Sequence, residues 1–177
     1  MDHRQLTMKA FDKFTAKHGA KGSVLDVGCR YTETKMELEN RGFAWTGIDI
    51  SPDKNAEHVI VRGAMEDMPF HDSMFDVVFV CHSLEHCEKP VHALREFKRV
   101  LKDWGYVFIS LPKGTRKMIL EADDDHIFVL NAMQMERLLK YTGLETIDVW
   151  EQIEDGTPNN SGESLIIVGQ KKQNTGG

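Results

Sequence analysis

The stretch SVLDVGCRYTETKMEL, from Ser23 to Leu38, decides how we interpret the fold. SVLDV has the composition of a short buried strand, and the polar segment TETKMELENRG that follows it predicts a helix. Thr32 is the expected N-cap of this helix, and Gly42 is its expected end. A strand that runs through Asp-x-Gly into a helix is the usual form of a nucleotide-binding loop. However, Arg30 and Thr32 occupy positions where such a loop would carry its second and third glycines.

The remaining sequence alternates apolar strands with amphipathic helices. Helices are predicted at residues 2–19, from Pro90 to Lys102, and over NAMQMERLLKYTG, which Asn131 begins and Gly143 ends. Further strands are predicted at FAWTGIDI, HVIV, MFDVVFVC and YVFISLP, and LETIDVWEQI and ESLIIVGQKK flank a polar turn as an antiparallel pair. This order predicts an α/β fold with a mostly parallel seven-stranded sheet, helices on both faces and a C-terminal antiparallel hairpin.

The composition is that of an ordinary globular protein, since 41% of the 177 residues are hydrophobic and 28% are charged. This length fits one domain, which we predict over residues 1–170, followed by a disordered tail over residues 171–177. No apolar run approaches the ~18 to 20 residues that cross a bilayer, and the charged amino terminus is unlike a signal peptide. Cys29, Cys81 and Cys87 have neither zinc-finger spacing nor an even number, so we expect reduced thiols in a cytoplasmic protein. The net charge of −6 argues against broad nucleic-acid binding, and the oligomeric state stays open.

Two acidic residues follow neighbouring predicted strands, at the edge of the sheet where α/β folds bind ligands. Asp26 lies near the end of the first strand, and Asp49 lies 23 residues later at the end of the second. A carboxylate at about this separation accepts hydrogen bonds from the ribose hydroxyls of an adenine cofactor. The alternative is that Asp49 caps the turn at Ser51–Pro52. We favour ribose binding because strand, loop, helix and strand occur in the order that such a site requires.

Five blocks of the chain, taken in order, resemble the class I S-adenosylmethionine-dependent methyltransferases. These blocks are VLDVGC, GIDIS, GAMEDMPFHDSMFDVVFVCHSLEHCEKP, REFKRVLKDWGYVFISLP and DHIFVLNAMQMERLLKYTGLE. The resemblance covers roughly residues 22–145, and its specificity comes from the order of the blocks. The nearest branch is the small single-domain group with EDLPF-like and LEH-like segments. The resemblance implies a Rossmann-like fold and S-adenosylmethionine as the cofactor.

The resemblance implies one side of the site for the adenosine half of this cofactor. Asp49 would hold the ribose, and Ile50 would pack on the adenine ring. Met65 would offer its backbone N–H to the adenine edge, with Glu66 beside it. The family usually carries an acidic residue at the position of Ala64, so this chain lacks one expected contact.

The resemblance implies a second side for the methionine half. The turn of Asp26, Gly28 and Cys29 would lie against it, and Cys81 would offer a backbone carbonyl to its amine. The family loop usually reads Gly-Cys-Gly-x-Gly, whereas Arg30 replaces a glycine here, at a conformational cost on the order of 1 to 3 kcal/mol. We therefore expect cofactor binding to be weakened by about one to three decades. Arg30 either compensates by pairing with the cofactor carboxylate or points to solvent.

Three histidines are candidates for a base, which methyl transfer needs only when the acceptor must lose a proton. His82 is the preferred catalytic residue because the resemblance implies a position near the sulfonium, whereas His86 is expected to be structural. The two would share a helical face, but spacing fixes no partner ligand, so we predict no metal site. His126 ends the acidic run EADDDH, which is either a solvated loop or a site for a cationic acceptor or a divalent ion.

These observations together predict an S-adenosylmethionine-dependent methyltransferase that acts on an unidentified small molecule or on a side chain of a protein partner. The alternative is a non-catalytic protein that keeps the fold for binding or assembly, which the altered positions Arg30 and Ala64 would favour. An NAD(P)-dependent oxidoreductase is less favoured because the Gly-x-Gly-x-x-Gly fingerprint is absent.

Overall fold

A computed structural model of the chain describes residues 3–113, 126–153 and 163–173. Its helices and strands, in chain order, are α1 (His3–His18), β1 (Ser23–Val27), α2 (Glu33–Glu39), β2 (Ala44–Asp49), β3 (Ile60–Arg62), β4 (Phe75–Cys81), α3 (Pro90–Val100), β5 (Leu101–Pro112), α4 (Ala132–Thr142), β6 (Glu145–Ile153) and β7 (Glu163–Gln170). A short 3₁₀ turn, Leu84–His86, lies between β4 and α3. The predicted order of strands and helices is thereby confirmed.

All seven of these strands form one sheet, in the order β3-β2-β1-β4-β5-β7-β6. The first five run parallel, with β1 hydrogen-bonded to both β2 and β4. Strand β7 inserts antiparallel between β5 and β6, which confirms the predicted C-terminal pair. The polar turn predicted between β6 and β7 lies outside the described residues. Because the strand order reverses on either side of β1, a crevice is expected beside the carboxyl end of β1.

An aromatic cluster fills the space between α1 and one face of the sheet. Phe11 and Phe14 project from α1 and are fully buried. The ring of Phe11 meets Phe79 of β4 and Phe108 of β5 edge-on, with centroids 5.1 Å and 5.2 Å away. Phe79 and Phe108 stack on each other at 5.6 Å across the two strands. Edge-to-face and offset-stacked pairs of this kind stabilise beyond their buried area, so α1 is held firmly against the sheet.

The opposite face of the sheet is covered by α3 and α4. Leu94 and Phe97 of α3 and Met135 and Leu139 of α4 are buried in one core with β4, β5 and β7. Pro90 begins α3, where its missing N–H leaves no helical bond unmade. The helices therefore lie on both faces, as predicted.

Sequence-specific signals account for both ends of α4. The side chain of Asn131 accepts a hydrogen bond from the backbone N–H of Gln134, and Gln134 returns one to the backbone N–H of Asn131. Gly143 closes the helix in the left-handed conformation, with φ of 81°. Both predicted ends of this helix are confirmed.

Two predicted helix ends and one predicted capping bond differ from the structure. Thr32 occupies the N-cap position of α2 but its side chain makes no capping hydrogen bond, and α2 ends at Glu39, with Asn40 as its C-cap, rather than at Gly42. Helix α3 ends at Val100 rather than Lys102, because the carbonyls of Arg99 and Val100 accept hydrogen bonds from Ser73 and Met74 and the chain turns directly into β5.

The predicted tail also begins too early. Lys171 is buried, its backbone N–H donates to the carbonyl of Gly105, and its Nζ donates to the carbonyl of Leu101. Residues 174–177 of that tail lie outside the described residues. Among the described helices, none combines the length and apolar character that crossing a membrane requires.

Candidate functional site

A cavity of about 740 Å³ opens at the carboxyl ends of β1, β2 and β4. Its walls come from the loop after β1, the turn after β2, the segment after β3 and the 3₁₀ turn after β4. This is the edge and the switch point at which the topology predicts a ligand. Seven of the predicted site residues line it: Gly28, Arg30, Asp49, Ile50, Met65, Glu66 and His82.

Gly28 allows the close approach of two segments at the base of the cavity. Its φ is +73°, and a Cβ atom there would lie 2.7 Å from Oγ of Ser83 and closer still to the Cβ of Ser83. Ser83 is held in that place because its Oγ donates to the carbonyl of Val27 at 2.8 Å. The backbone N–H of Gly28 donates to the carbonyl of Ile48, also at 2.8 Å. A side chain at position 28 is thus excluded by both conformation and space.

Arg30 adopts the glycine-like conformation that the altered loop predicts, with φ of +45°. Its backbone N–H donates to Oδ2 of Asp49 at 2.9 Å, and its carbonyl accepts from the N–H of Asp53 at 2.9 Å. The side chain is exposed, with the guanidinium carbon 5.5 Å from the centroid of the Tyr31 ring. The two backbone hydrogen bonds offset part of the cost of the left-handed conformation.

Asp49 connects the loops that follow β1 and β2. While Oδ2 accepts from Arg30, Oδ1 accepts from the backbone N–H of Ser51 at 2.7 Å. Asp49 therefore caps the turn at Ser51–Pro52, as the alternative interpretation of this residue predicts. This role does not exclude ligand binding, because each carboxylate oxygen has a second lone pair for a hydroxyl donor. Asp49 lines the cavity, and the next residue, Ile50, is 71% exposed beside it.

The segment after β3 forms the wall opposite the loop of β1. The backbone N–H of Gly63 donates to the carbonyl of Asp49 at 3.0 Å, which ties this segment to the end of β2. Met65 is partly buried against the core, and Glu66 lies at the surface of the cavity. An apolar wall with a polar rim suits a flat heterocyclic ring.

His82 follows β4 in a second left-handed conformation, with φ of +48°. Its backbone N–H donates to the carbonyl of Ser110 at 2.9 Å. In the ring, Nε2 shares a hydrogen bond with Oγ of Ser164 at 3.1 Å, and Nδ1 lies 3.7 Å from Oε1 of Glu85. These contacts fix the orientation of an imidazole at the cavity wall. Strained residues that the surroundings hold in place are often found at functional sites.

Three residues predicted to bind cofactor do not line the cavity within the described part of the chain. Asp26 is buried and accepts a hydrogen bond from Nε1 of Trp45 at 3.1 Å, and burial raises the pKa of its carboxyl group to about 6. Cys29 packs its thiol 3.7 Å from the carbonyl of Ile48, where burial raises the thiol pKa. Cys81 is partly buried against the aromatic cluster. Their side chains support the loops from beneath.

Sequence reasoning missed two buried residues of the segment after β4. Ser83 shapes the place that only glycine fits at position 28. Glu85 is 2% exposed, neither carboxylate oxygen has a hydrogen-bond partner among the described residues, and burial raises its pKa to about 7. The available signal was the segment HSLEH itself, in which a charged residue directly follows the apolar Leu84 after a fully buried strand.

The part of the chain that forms this cavity is similar in sequence to known methyltransferases. The profile of a family described as "Methyltransferase domain" matches residues 25–109, which include β2, β4 and the last three residues of β1. A malonyl-[acyl-carrier protein] O-methyltransferase from Pseudescherichia vulneris is 27% identical over 158 residues, which make up 84% of this chain and 62% of that protein. An uncharacterized protein of Methanocaldococcus jannaschii is 28% identical over 167 residues, covering 86% of this chain and 78% of that protein. The chain spans less than two thirds of the length of several curated relatives that it matches, in one case 28%.

A solved structure provides a comparison of folds. The 1,6-didemethyltoxoflavin-N1-methyltransferase of Burkholderia thailandensis, determined with 1,6-didemethyltoxoflavin and S-adenosylhomocysteine bound, has a TM-score of 0.71 with this chain. The sequence identity is 17%, and the match covers 95% of this chain and 79% of that one. At this identity the likeness is one of fold.

Proposed function

We propose that this chain is a class I S-adenosylmethionine-dependent methyltransferase, which binds S-adenosylmethionine in the described cavity and methylates an acceptor there. The observation that carries the proposal is the cavity itself, which lies between the Asp49 carboxylate and the His82 imidazole. We propose that the acceptor is a small molecule or a side chain of a protein partner, and we leave the methylated atom unassigned.

The residues present fit the adenosine half of the cofactor. Asp49 retains free lone pairs on both oxygens for the two ribose hydroxyls. Exposed Ile50 offers an apolar surface for the adenine ring, and Met65 and Glu66 line the facing wall. Burial of Ile50 beneath a ring would contribute up to about 2 kcal/mol.

The methionine half is expected at the loop after β1. Gly28 leaves its backbone open to close approach because no side chain projects there. Arg30 lines the cavity, and its exposed guanidinium can turn towards a carboxylate, with which it forms strong paired hydrogen bonds. When bound, S-adenosylmethionine supplies a methyl group on an activated sulfonium.

His82 is the proposed general base for an acceptor that must lose a proton. The hydrogen bond to Ser164 and the proximity of Glu85 hold its ring in one orientation at the cavity wall. An oriented imidazole accelerates attack only when the acceptor proton is removed, so His82→Ala is expected to lower turnover with little effect on donor affinity.

Non-catalytic binding or assembly is not favoured. The altered loop keeps Gly28 in its special conformation, and the Arg30 backbone is held by Asp49 rather than collapsed across the cavity. Because the cavity is intact, it supports the proposal that the chain binds the methyl donor over the proposal that it has lost this ability.

Calorimetric titration with S-adenosylhomocysteine tests the proposal, because this product-like ligand needs no acceptor. We expect binding by the wild type and an affinity about 10- to 100-fold lower in Asp49→Asn, since a charge-assisted hydrogen bond is worth about 1.5 to 3 kcal/mol. Asp53→Asn is the matched control, because Asp53 also accepts a backbone N–H two residues later but does not line the cavity. Absence of binding by the wild type at millimolar ligand would overturn the proposal.

A further inference from the structure

A cluster of metal-ligating side chains lies beside the cavity, and two of its three residues belong to the 3₁₀ turn after β4. Glu85, His86 and His126 each offer one ligand atom, and these three atoms lie within 4.8 Å of one another. His86 and His126 face each other with ring centroids 4.9 Å apart at 55°. The proposed base involves only Glu85 of these three residues and the proposed donor site involves none, so neither accounts for their convergence.

The cluster contains buried polar atoms that the described residues leave without hydrogen bonds. Both carboxylate oxygens of Glu85 are in this state, although the residue is 2% exposed. Nδ1 of His126 is also buried with no described partner. Native proteins rarely bury a carboxylate without a donor or a cation, because desolvation of the charge is unfavourable. Nδ1 of His82 lies 3.7 Å from Oε1 of Glu85, which is too far for a hydrogen bond. The two groups without hydrogen bonds, on different segments, thus point to one cation that both could bind.

The backbone brings the two segments together before any ion binds. The N–H of Ile127 donates to the carbonyl of Glu85 at 3.0 Å. This bond joins the chain after β5 to the 3₁₀ turn after β4, and it sets His126 next to His86. The ligands therefore come from two segments that the fold already holds in contact, as a preorganised site requires.

We propose that Glu85, His86 and His126 bind a divalent first-row transition cation at the edge of the cavity. Two imidazoles and one carboxylate suit such borderline ions better than Ca²⁺ or Mg²⁺, which prefer oxygen ligands. Ligand atoms around a tetrahedral ion lie about 3.4 Å apart, given metal–ligand distances of about 2.1 Å. His86 is exposed and can move inward to close the cluster around the ion.

The site would be shared with the cavity, because His86 also lines the cavity wall. Three protein ligands leave at least one coordination position open, the arrangement that catalytic rather than structural cations have. Binding of the cation itself does not depend on the proposed methyl transfer. The sequence predicts no metal site because spacing fixes no partner ligand for His82 and His86; the proposed site instead joins His86 to Glu85 of the same turn and to His126.

Titration with Co²⁺ tests the proposal, using the full chain without a polyhistidine tag and without methyl donor. We expect saturable visible absorption from a single ion per chain, with calorimetric competition by Zn²⁺. Glu85→Gln and His126→Ala are each expected to weaken binding by about 100-fold or more, since even groups that only orient metal ligands are worth about 10- to 100-fold. His92→Ala is the control, because His92 is exposed and outside the cluster.

Two outcomes would overturn the proposal: no Co²⁺ or Zn²⁺ binding by the folded wild type, or equal binding by wild type and Glu85→Gln. Glu85→Gln preserves side-chain size and removes a buried charge that accepts no hydrogen bond from the described residues, so it should fold, and circular dichroism checks this. His86→Ala alters an exposed position and provides a second variant if Glu85→Gln does not fold. S-adenosylhomocysteine binding is measured separately, so failure of the donor site would be distinguished from failure of the cation site.

Discussion

The backbone N–H of Arg30 donates a hydrogen bond of 2.9 Å to Oδ2 of Asp49, and this bond joins the loops after β1 and β2. It explains how the chain tolerates an arginine where the methyltransferases that it resembles usually have glycine. The left-handed conformation of Arg30, with φ of +45°, points the N–H at the carboxylate. The strained backbone of Arg30 and the proposed ribose-binding carboxylate of Asp49 are thus linked by one hydrogen bond.

Replacing Arg30 separates the backbone contribution from that of the guanidinium. Arg30→Gly should be more stable than Arg30→Ala by about 1 kcal/mol, because only alanine keeps the steric cost of the left-handed conformation. At an ordinary helical position the order would be reversed. Urea denaturation of both variants measures the difference, and an alanine variant as stable as the glycine variant would show that φ carries no strain.

The same two variants test the proposed contact with the donor carboxylate. Both remove the guanidinium, so both should bind S-adenosylhomocysteine about tenfold less tightly than the wild type, the loss expected for an exposed charge-assisted pair. Lys35→Ala, which removes a cation paired with Glu39 on α2, is the control. Unchanged affinity in Arg30→Ala would mean that the side chain points to solvent when ligand binds.

Gly28 and Ser83 should be energetically coupled. Gly28→Ala places a Cβ against the side chain of Ser83 at a φ of +73°, so we expect a destabilisation of about 2 to 4 kcal/mol. Ser83→Gly removes the clash but not the strain, so the double variant should recover part of that loss. A double-mutant cycle by chemical denaturation measures the coupling, and strict additivity would contradict the contact.

The periodic features of the chain were predictable, whereas the buried polar ones were not. Alternation of apolar runs and helical faces places Asp49 at the end of β2 on local pattern alone. Ser83 could not be foreseen, because its role depends on meeting Val27, 56 residues away in sequence. Glu85 was missed for the same reason: its burial results from packing between segments. Lys171 was predicted to lie in a solvated tail because it is a charged residue near the carboxyl end of the chain. In the structure its Nζ donates a hydrogen bond to the carbonyl of Leu101.

The capping box of α4 gives a prediction about stability alone. Asn131→Ala removes the acceptor for the N–H of Gln134 and should lower the free energy of unfolding by about 1 kcal/mol. Asn131→Asp keeps an acceptor oxygen and should lose little, which makes it the matched control. Thermal unfolding of the three proteins compares them. Equal losses in both variants would assign the effect to packing rather than to the cap.

Asp26 should make stability fall as pH rises through its titration range. Burial raises its pKa from 3.8 to about 6, so between these values the folded state binds more protons than the unfolded state. Stability from this group is therefore greatest at low pH and declines by about 2 to 3 kcal/mol as pH rises from about 4 to 6. Asp26→Asn lacks this ionisation and can still accept from Trp45. The stability of the variant relative to wild type, from urea titrations at pH 4 to 8, should rise with pH. A constant difference would mean that Asp26 ionises at its ordinary pKa.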